Sequence, residues 1–170
     1  ITFAMYSIYA KHQGARVLTT NSVEHDLEQF LEIYQNEKPQ IIYICTPNNR
    51  TGDIVEKYDL FKFLEKVDLN TLVVVDGAYM EYLKFRSPEN EIIPKELIEK
   101  FENVIYLGTF SKAFGLGGLR VGYGIASKEI IDNLNKVRPP FNITTLSLLG
   151  AVESLKDLEF VQQSILVNFS

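Results

Sequence analysis

Asn49 lies in "TPNNRTG", Asp76 and Tyr79 in "VVVDGAY", and Thr109, Ser111, Lys112 and Arg120 in "TFSKAFGLGGLRVGYG". Each of these side chains is of a type that does chemistry. A lysine among glycines can bind phosphate, act covalently or sit as a solvated loop charge. Its amine can form a Schiff base with an aldehyde. An aspartate can keep an aromatic ring nitrogen protonated, which makes the ring an electron sink. A phenol and an amide can hydrogen-bond a ring hydroxyl. An arginine offers a permanently charged fork to a phosphate, and serine and threonine hydroxyls complete the oxygen shell. An anionic aldehyde with an aromatic nitrogen meets all of these groups at once, and pyridoxal 5'-phosphate is such a cofactor.

Taken singly, each residue also has a plainer role. Asp76 can cap a helix, Asn49 can form a turn, Tyr79 can pack in a core, and Thr109 or Ser111 can close a local turn. Their placement separates the two views. Apolar, β-branched runs at 15–20, 41–45, 71–75, 104–108 and 120–126 alternate with segments of helical spacing. Such alternation predicts an α/β fold, a mainly parallel sheet covered on both faces. Ligands of these sheets bind beyond the carboxyl ends of the strands. Three of the runs are followed there by Asn49, by Asp76 and Tyr79, and by Thr109, Ser111 and Lys112. Arg120 comes only eight residues after Lys112 and opens the next run. That link is too short for a crossover helix. If Arg120 serves the same site, its strand runs antiparallel to 104–108.

The helices are read from their apolar spacing. Val23, Leu27, Phe30, Leu31 and Tyr34 fall on one face over 23–38, with Asn21 and Glu24 as a capping box. Asp53 and Glu56 suggest the same for a helix reaching about Val67. Segment 127–137 starts at a Ser127 cap and turns Ile130, Ile131 and Leu134 inward. Pro139 and Pro140 must stop it, and a further helix is expected from about Ile143. Segment 83–94 reads as an exposed loop, and His12 and His25 as surface residues. Cys45, the only cysteine, reads as a buried small hydrophobe. Gly115, Gly117 and Gly118 lack the spacing of a dinucleotide fingerprint and serve close backbone approach instead.

A net charge of -5 argues against a general nucleic-acid surface. No apolar run is long enough to span a membrane, and no segment reads as a signal peptide. With one cysteine there is neither a disulfide framework nor a zinc cluster. The expectation is a cytoplasmic protein with small-molecule substrates, no metal, no nucleic-acid partner and no membrane. The chain begins and ends inside apolar-periodic segments, which suggests a piece of a longer protein.

In this order the three motifs resemble those of fold-type I pyridoxal-phosphate aminotransferases of the class I/II group. "TFAMYSIYAKHQGA" and "VRPPFNIT" are most similar to the histidinol-phosphate aminotransferase subgroup. The resemblance covers nearly the whole chain. It implies that residues 1–170 are the central part of the cofactor-binding large domain, a three-layer sandwich with one antiparallel strand, without the small domain. It further implies that Lys112 holds the cofactor covalently and then moves a proton between substrate and cofactor carbons. Asp76 would meet the ring nitrogen, Tyr79 and Asn49 the ring oxygen, and Thr109, Ser111 and Arg120 the phosphate. Phe3 matches the aromatic that stacks on the ring. The implied reaction exchanges an amino group between glutamate and the phosphorylated imidazole ketone of histidine biosynthesis, in a homodimer.

Two positions depart from the family pattern. Arg50 stands where a proline is usual, and Gly77 where the subgroup often has glutamate. The family's upstream phosphate loop and its downstream carboxylate-binding arginine are not in this chain, which puts activity of this stretch alone in doubt. Other class I/II enzymes stay open, among them aromatic or aspartate-type aminotransferases and a phosphothreonine decarboxylase. So do a non-catalytic sensing module on the same fold and an ordinary nucleotide-binding α/β domain.

Overall fold

Alternation along the strands assigns each helix to a face of the sheet. The computed structural model describes residues 2–169. Its elements in order are α1 (Met5–His12), α2 (Leu27–Glu37), β1 (Ile41–Cys45), α3 (Lys57–Leu64), β2 (Leu72–Asp76), α4 (Met80–Arg86) and α5 (Pro94–Lys100). Then come β3 (Val104–Thr109), β4 (Gly122–Ala126), α6 (Lys128–Val137), α7 (Thr145–Ser154) and α8 (Leu158–Phe169). The sheet order is β1-β2-β3-β4. β1, β2 and β3 are parallel. β4 returns antiparallel to β3, with Thr109 opposite Gly122, as the short link to Arg120 requires.

On one face Ile42, Ile44, Val73, Val75, Val104 and Tyr106 are buried under Leu60, Phe63, Leu83 and Leu97 from the helices. Burying a side chain of this size is worth about 1.5–3 kcal/mol, so this face drives much of the folding. The opposite face carries Tyr43, Cys45, Val74 and Asp76 by the period of two. There α1 forms the third layer, its Tyr6 ring stacked on Tyr43 at 4.7 Å between centroids. The result is the expected α/β three-layer arrangement around a mainly parallel sheet with one antiparallel strand.

Several local expectations need correction. Residues 15–20 form no strand. Ala15 instead donates its N–H back to the Ala10 carbonyl, closing α1, and strand propensity without a ladder partner does not make a strand. Helix α2 starts at Leu27, not near Val23. Its cap is Asp26, whose carboxylate accepts the Glu28 and Gln29 N–H groups. Glu56, not Asp53, occupies the cap position of α3 and makes no side-chain cap bond. The distant Asn90 side chain accepts the Lys57 N–H instead.

Segment 83–94 is largely structured. It completes α4, forms a short 3-10 turn at Pro88–Asn90 and buries Leu83 and Ile92. Ser127 takes the cap position of α6 without a side-chain bond. Ile130 and Ile131 are half-buried, but Leu134 is exposed. The helix stops where the prolines demand it, with Arg138 already extended at ψ 140. Helix α7 begins at Thr145, close to the expected start.

Candidate functional site

Three connections at the carboxyl ends of β1, β2 and β3 build the site. After β1, the chain folds into a loop closed by its own backbone. Asn48 donates its N–H to the Asp53 carbonyl at 2.7 Å, and Gly52 donates back to Asn48 at 3.0 Å. The buried Thr46 hydroxyl accepts the Val55 N–H at 3.0 Å. Arg50 sits at φ 97. A proline ring, fixed near φ −65°, cannot adopt this conformation, so the departure at position 50 goes with a different local turn. The loop presents the Asn49 side chain inward.

After β2, Asp76 opens the turn into α4. Its Oδ1 accepts the Ala78 N–H at 3.0 Å, and its Oδ2 accepts the Tyr6 hydroxyl at 2.5 Å. The turn sets Tyr79 at the start of α4, where its hydroxyl accepts the Asn49 amide at 2.9 Å. Gly77 is explained by its surroundings. A Cβ there would lie 2.2 Å from the Tyr106 hydroxyl oxygen, so the Tyr106 ring fills the space a larger residue 77 would need.

After β3, Phe110, Ala113 and Phe114 anchor the loop in two small apolar clusters with Val121, Val161 and Ile165. Gly115 at φ 70 returns its N–H to the Lys112 carbonyl at 2.9 Å, a turn that displays the lysine. The exposed Lys112 side chain lies with Nζ 5.2 Å from the centre of the Tyr79 ring, within cation–π range. Thr109 Oγ1 accepts the Ser111 N–H at 3.1 Å. The Arg120 backbone is left-handed at φ 52, and its guanidinium donates to the Gly117 carbonyl at 2.8 Å. A Cβ on Gly117 would lie 3.4 Å from the Ser111 carbonyl oxygen, an ordinary contact distance that sets this turn beside the Ser111 backbone.

The structure thus bonds Asn49 to Tyr79 and places the Lys112 amine over the Tyr79 ring. Asp76 joins Tyr6, and Thr109 with Ser111 forms a second group that the Gly117–Arg120 turn approaches. Arg120 points its head at a backbone carbonyl rather than at those hydroxyls. Phe3 is exposed and packs edge-on against the Tyr6 ring at 5.5 Å.

Two residues escaped the sequence reading. Tyr6 follows Phe3 by one helical turn, and that spacing was the available signal. His25 is no simple surface residue. Its Nε2 accepts the Cys45 N–H at 3.2 Å, and burial pushes its pKa down. Cys45 is buried as expected, which holds its thiol pKa up. A cavity of about 440 Å³ lies elsewhere, between α2 and α3, and none of its lining residues belongs to the strand-end group. Among the described residues no helix is long and apolar enough to cross a membrane.

The chain can be set beside known proteins on this geometry. The profile of the family "aminotransferase class I and II" matches residues 1–168. A histidinol-phosphate aminotransferase of Sulfurimonas denitrificans is 62% identical over 99% of this chain and 46% of its own length. That of Aliarcobacter butzleri is 58% identical with the same coverage. The chain therefore spans about half the length of the curated relatives it matches. A crystal structure of the Sinorhizobium meliloti histidinol-phosphate aminotransferase in complex with pyridoxal-5'-phosphate superposes with a TM-score of 0.88 at 27% identity. It covers 97% of this chain and 44% of that one. With the family profile matching nearly end to end on a sheet whose strand ends carry the expected polar groups, this chain belongs to the class I and II aminotransferases.

Proposed function

We propose that the intact protein exchanges an amino group between glutamate or 2-oxoglutarate and histidinol phosphate or imidazole acetol phosphate, in histidine biosynthesis. The observation that carries this reading is the 62% identity, across 99% of the chain, to a relative named for that substrate. The donor set fits pyridoxal 5'-phosphate. A carboxylate, a phenol bonded to an amide, an amine against that phenol ring, and a hydroxyl turn lie at the carboxyl ends of three adjacent strands. The cofactor supplies an aldehyde that an amine can capture and a ring that takes up electrons.

In this reading Lys112 is the capturing amine and the group that carries the proton. Asp76 receives the ring N–H. Tyr79 and Asn49, already bonded to each other, bind the ring oxygen and fix its position. Thr109, Ser111 and Arg120 hold the phosphate. Arg120 keeps donors beyond the one spent on Gly117, since its guanidinium carries five N–H groups. Phe3 covers one ring face, from its place beside Tyr6. The chain forms the central part of the large cofactor-binding domain. A cytoplasmic homodimer with small-molecule substrates completes the proposal.

The test uses the intact protein. Borohydride should attach a pyridoxyl group to Lys112, and Lys112→Ala should abolish both this labelling and turnover of histidinol phosphate. Unchanged labelling and rate in the variant would sink the assignment. Faster turnover of aspartate or an aromatic amino acid than of histidinol phosphate would move the substrate to another branch of the family.

A further inference from the structure

The Asp76 carboxylate is held at both oxygens, and only one of the two donors belongs to its own turn. Oδ1 takes the Ala78 N–H at 3.0 Å, and Oδ2 takes the hydroxyl of Tyr6, 70 residues earlier in the chain, at 2.5 Å. Tyr6 is itself fixed. Its ring lies nearly parallel to Tyr43 of β1, 17° between planes, and Phe3 packs against it at 80°. Tyr43 in turn faces Val74 across the β1–β2 register, two residues before Asp76. The phenol is therefore braced by β1, the strand paired with the one that carries the carboxylate.

Resting on the cofactor reading above, we infer that Tyr6 is a positioning residue. Its hydroxyl fixes the plane of the Asp76 carboxylate so that the carboxylate meets the protonated ring nitrogen. With the Ala78 bond alone, the carboxylate could pivot about its Cβ–Cγ bond. A second donor on the other oxygen removes that freedom. An ionised acceptor also makes this hydrogen bond one of the stronger kinds. Burial first, and then the facing carboxylate, push the Tyr6 phenol far up, so it stays a donor across the working pH range. A carboxylate oxygen has capacity for more than one donor, so Oδ2 can keep Tyr6 and still accept the ring N–H.

The opposite assignment is that the Tyr6 hydroxyl stands in for the ring nitrogen and must leave when the cofactor binds. The two differ in sign. The experiment is Tyr6→Phe in the intact protein, which keeps the ring stack on Tyr43. Affinity for pyridoxal 5'-phosphate is read by equilibrium titration of the cofactor-free protein. The same titration is run with an analogue that has carbon in place of the ring nitrogen. Positioning predicts about three- to tenfold weaker binding of the natural cofactor in Tyr6→Phe, from the loss of one hydrogen bond. It also predicts no such penalty with the carbon analogue, and none in an Asp76→Ala background.

Equal affinities of parent and variant overturn the inference, and tighter binding in Tyr6→Phe overturns it in favour of the stand-in. A penalty of equal size for the analogue also overturns it, because a merely structural loss does not read the nitrogen. Borohydride labelling of Lys112 in the parent separates the two levels. Labelling with no Tyr6 effect defeats this inference alone, whereas no labelling defeats the cofactor reading and this one with it.

Discussion

Asn49 donates its side-chain amide to the Tyr79 hydroxyl at 2.9 Å, although the two are 30 residues apart and follow different strands. The bond spans the ends of β1 and β2. It aligns two groups that can both address one oxygen of a ligand, and Lys112 closes on the same phenol from β3, 5.2 Å from its ring. A pair bonded in this way acts as a unit, so the two residues should not contribute independently.

Asn49→Ala and Tyr79→Phe are each expected to weaken pyridoxal 5'-phosphate binding about three- to tenfold, the scale of one hydrogen bond. The double variant should fall short of the product of the two, with a coupling of about 0.5 kcal/mol or more. Titrating the four proteins with the cofactor measures this. Strict additivity would mean that the bond between them has no part in binding.

Gly77→Ala is expected to destabilise the protein, by roughly 1–3 kcal/mol, because its Cβ would stand 2.2 Å from the Tyr106 hydroxyl and 2.5 Å from the ring carbon that bears it. Tyr106 is buried at the centre of the sheet and cannot swing away freely. Replacing it by leucine in the Gly77→Ala background should recover part of the loss in thermal midpoint. A Gly77→Ala variant as stable as the parent would show that the ring moves at little cost.

The sequence made the sheet legible because strand runs and strand-end polar groups are local signals. Asp76, Asn49 and Lys112 each follow an apolar run, and the antiparallel return of β4 followed from Arg120 coming only eight residues after Lys112. Contacts made across the fold were not legible. Tyr6 meets Asp76 only because α1 lies on the second face, and His25 meets the Cys45 N–H only because the segment before α2 folds against β1. Caps failed for a related reason. Asn21 and Glu24 have the right spacing, but Asp26 lies closer to where the buried face of α2 begins. Asn90 supplies the partner that sequence reasoning sought next to α3. Residues 15–20 carry β-branched side chains but pair with no strand, and propensity alone could not reveal that.

Glu81 offers a pH-dependent test of the fold beside the site. It stands in the first turn of α4, two residues after Tyr79, with Oε2 buried and lacking a hydrogen-bond partner among the described residues. Burial raises its pKa above the usual 4.5, against smaller lowering effects from its own backbone and Lys84. A carboxylate whose folded pKa exceeds its unfolded value binds protons more tightly in the native state. Stability then falls as pH rises from about 4.5 through the folded value, and the penalty is complete above it. Glu81→Gln keeps the shape and removes the charge. Its thermal midpoint should exceed that of the parent at pH 8, and the gap should shrink on going to pH 5. A gap that is constant with pH, or that grows toward acid, would show that the buried carboxylate is not the group responsible.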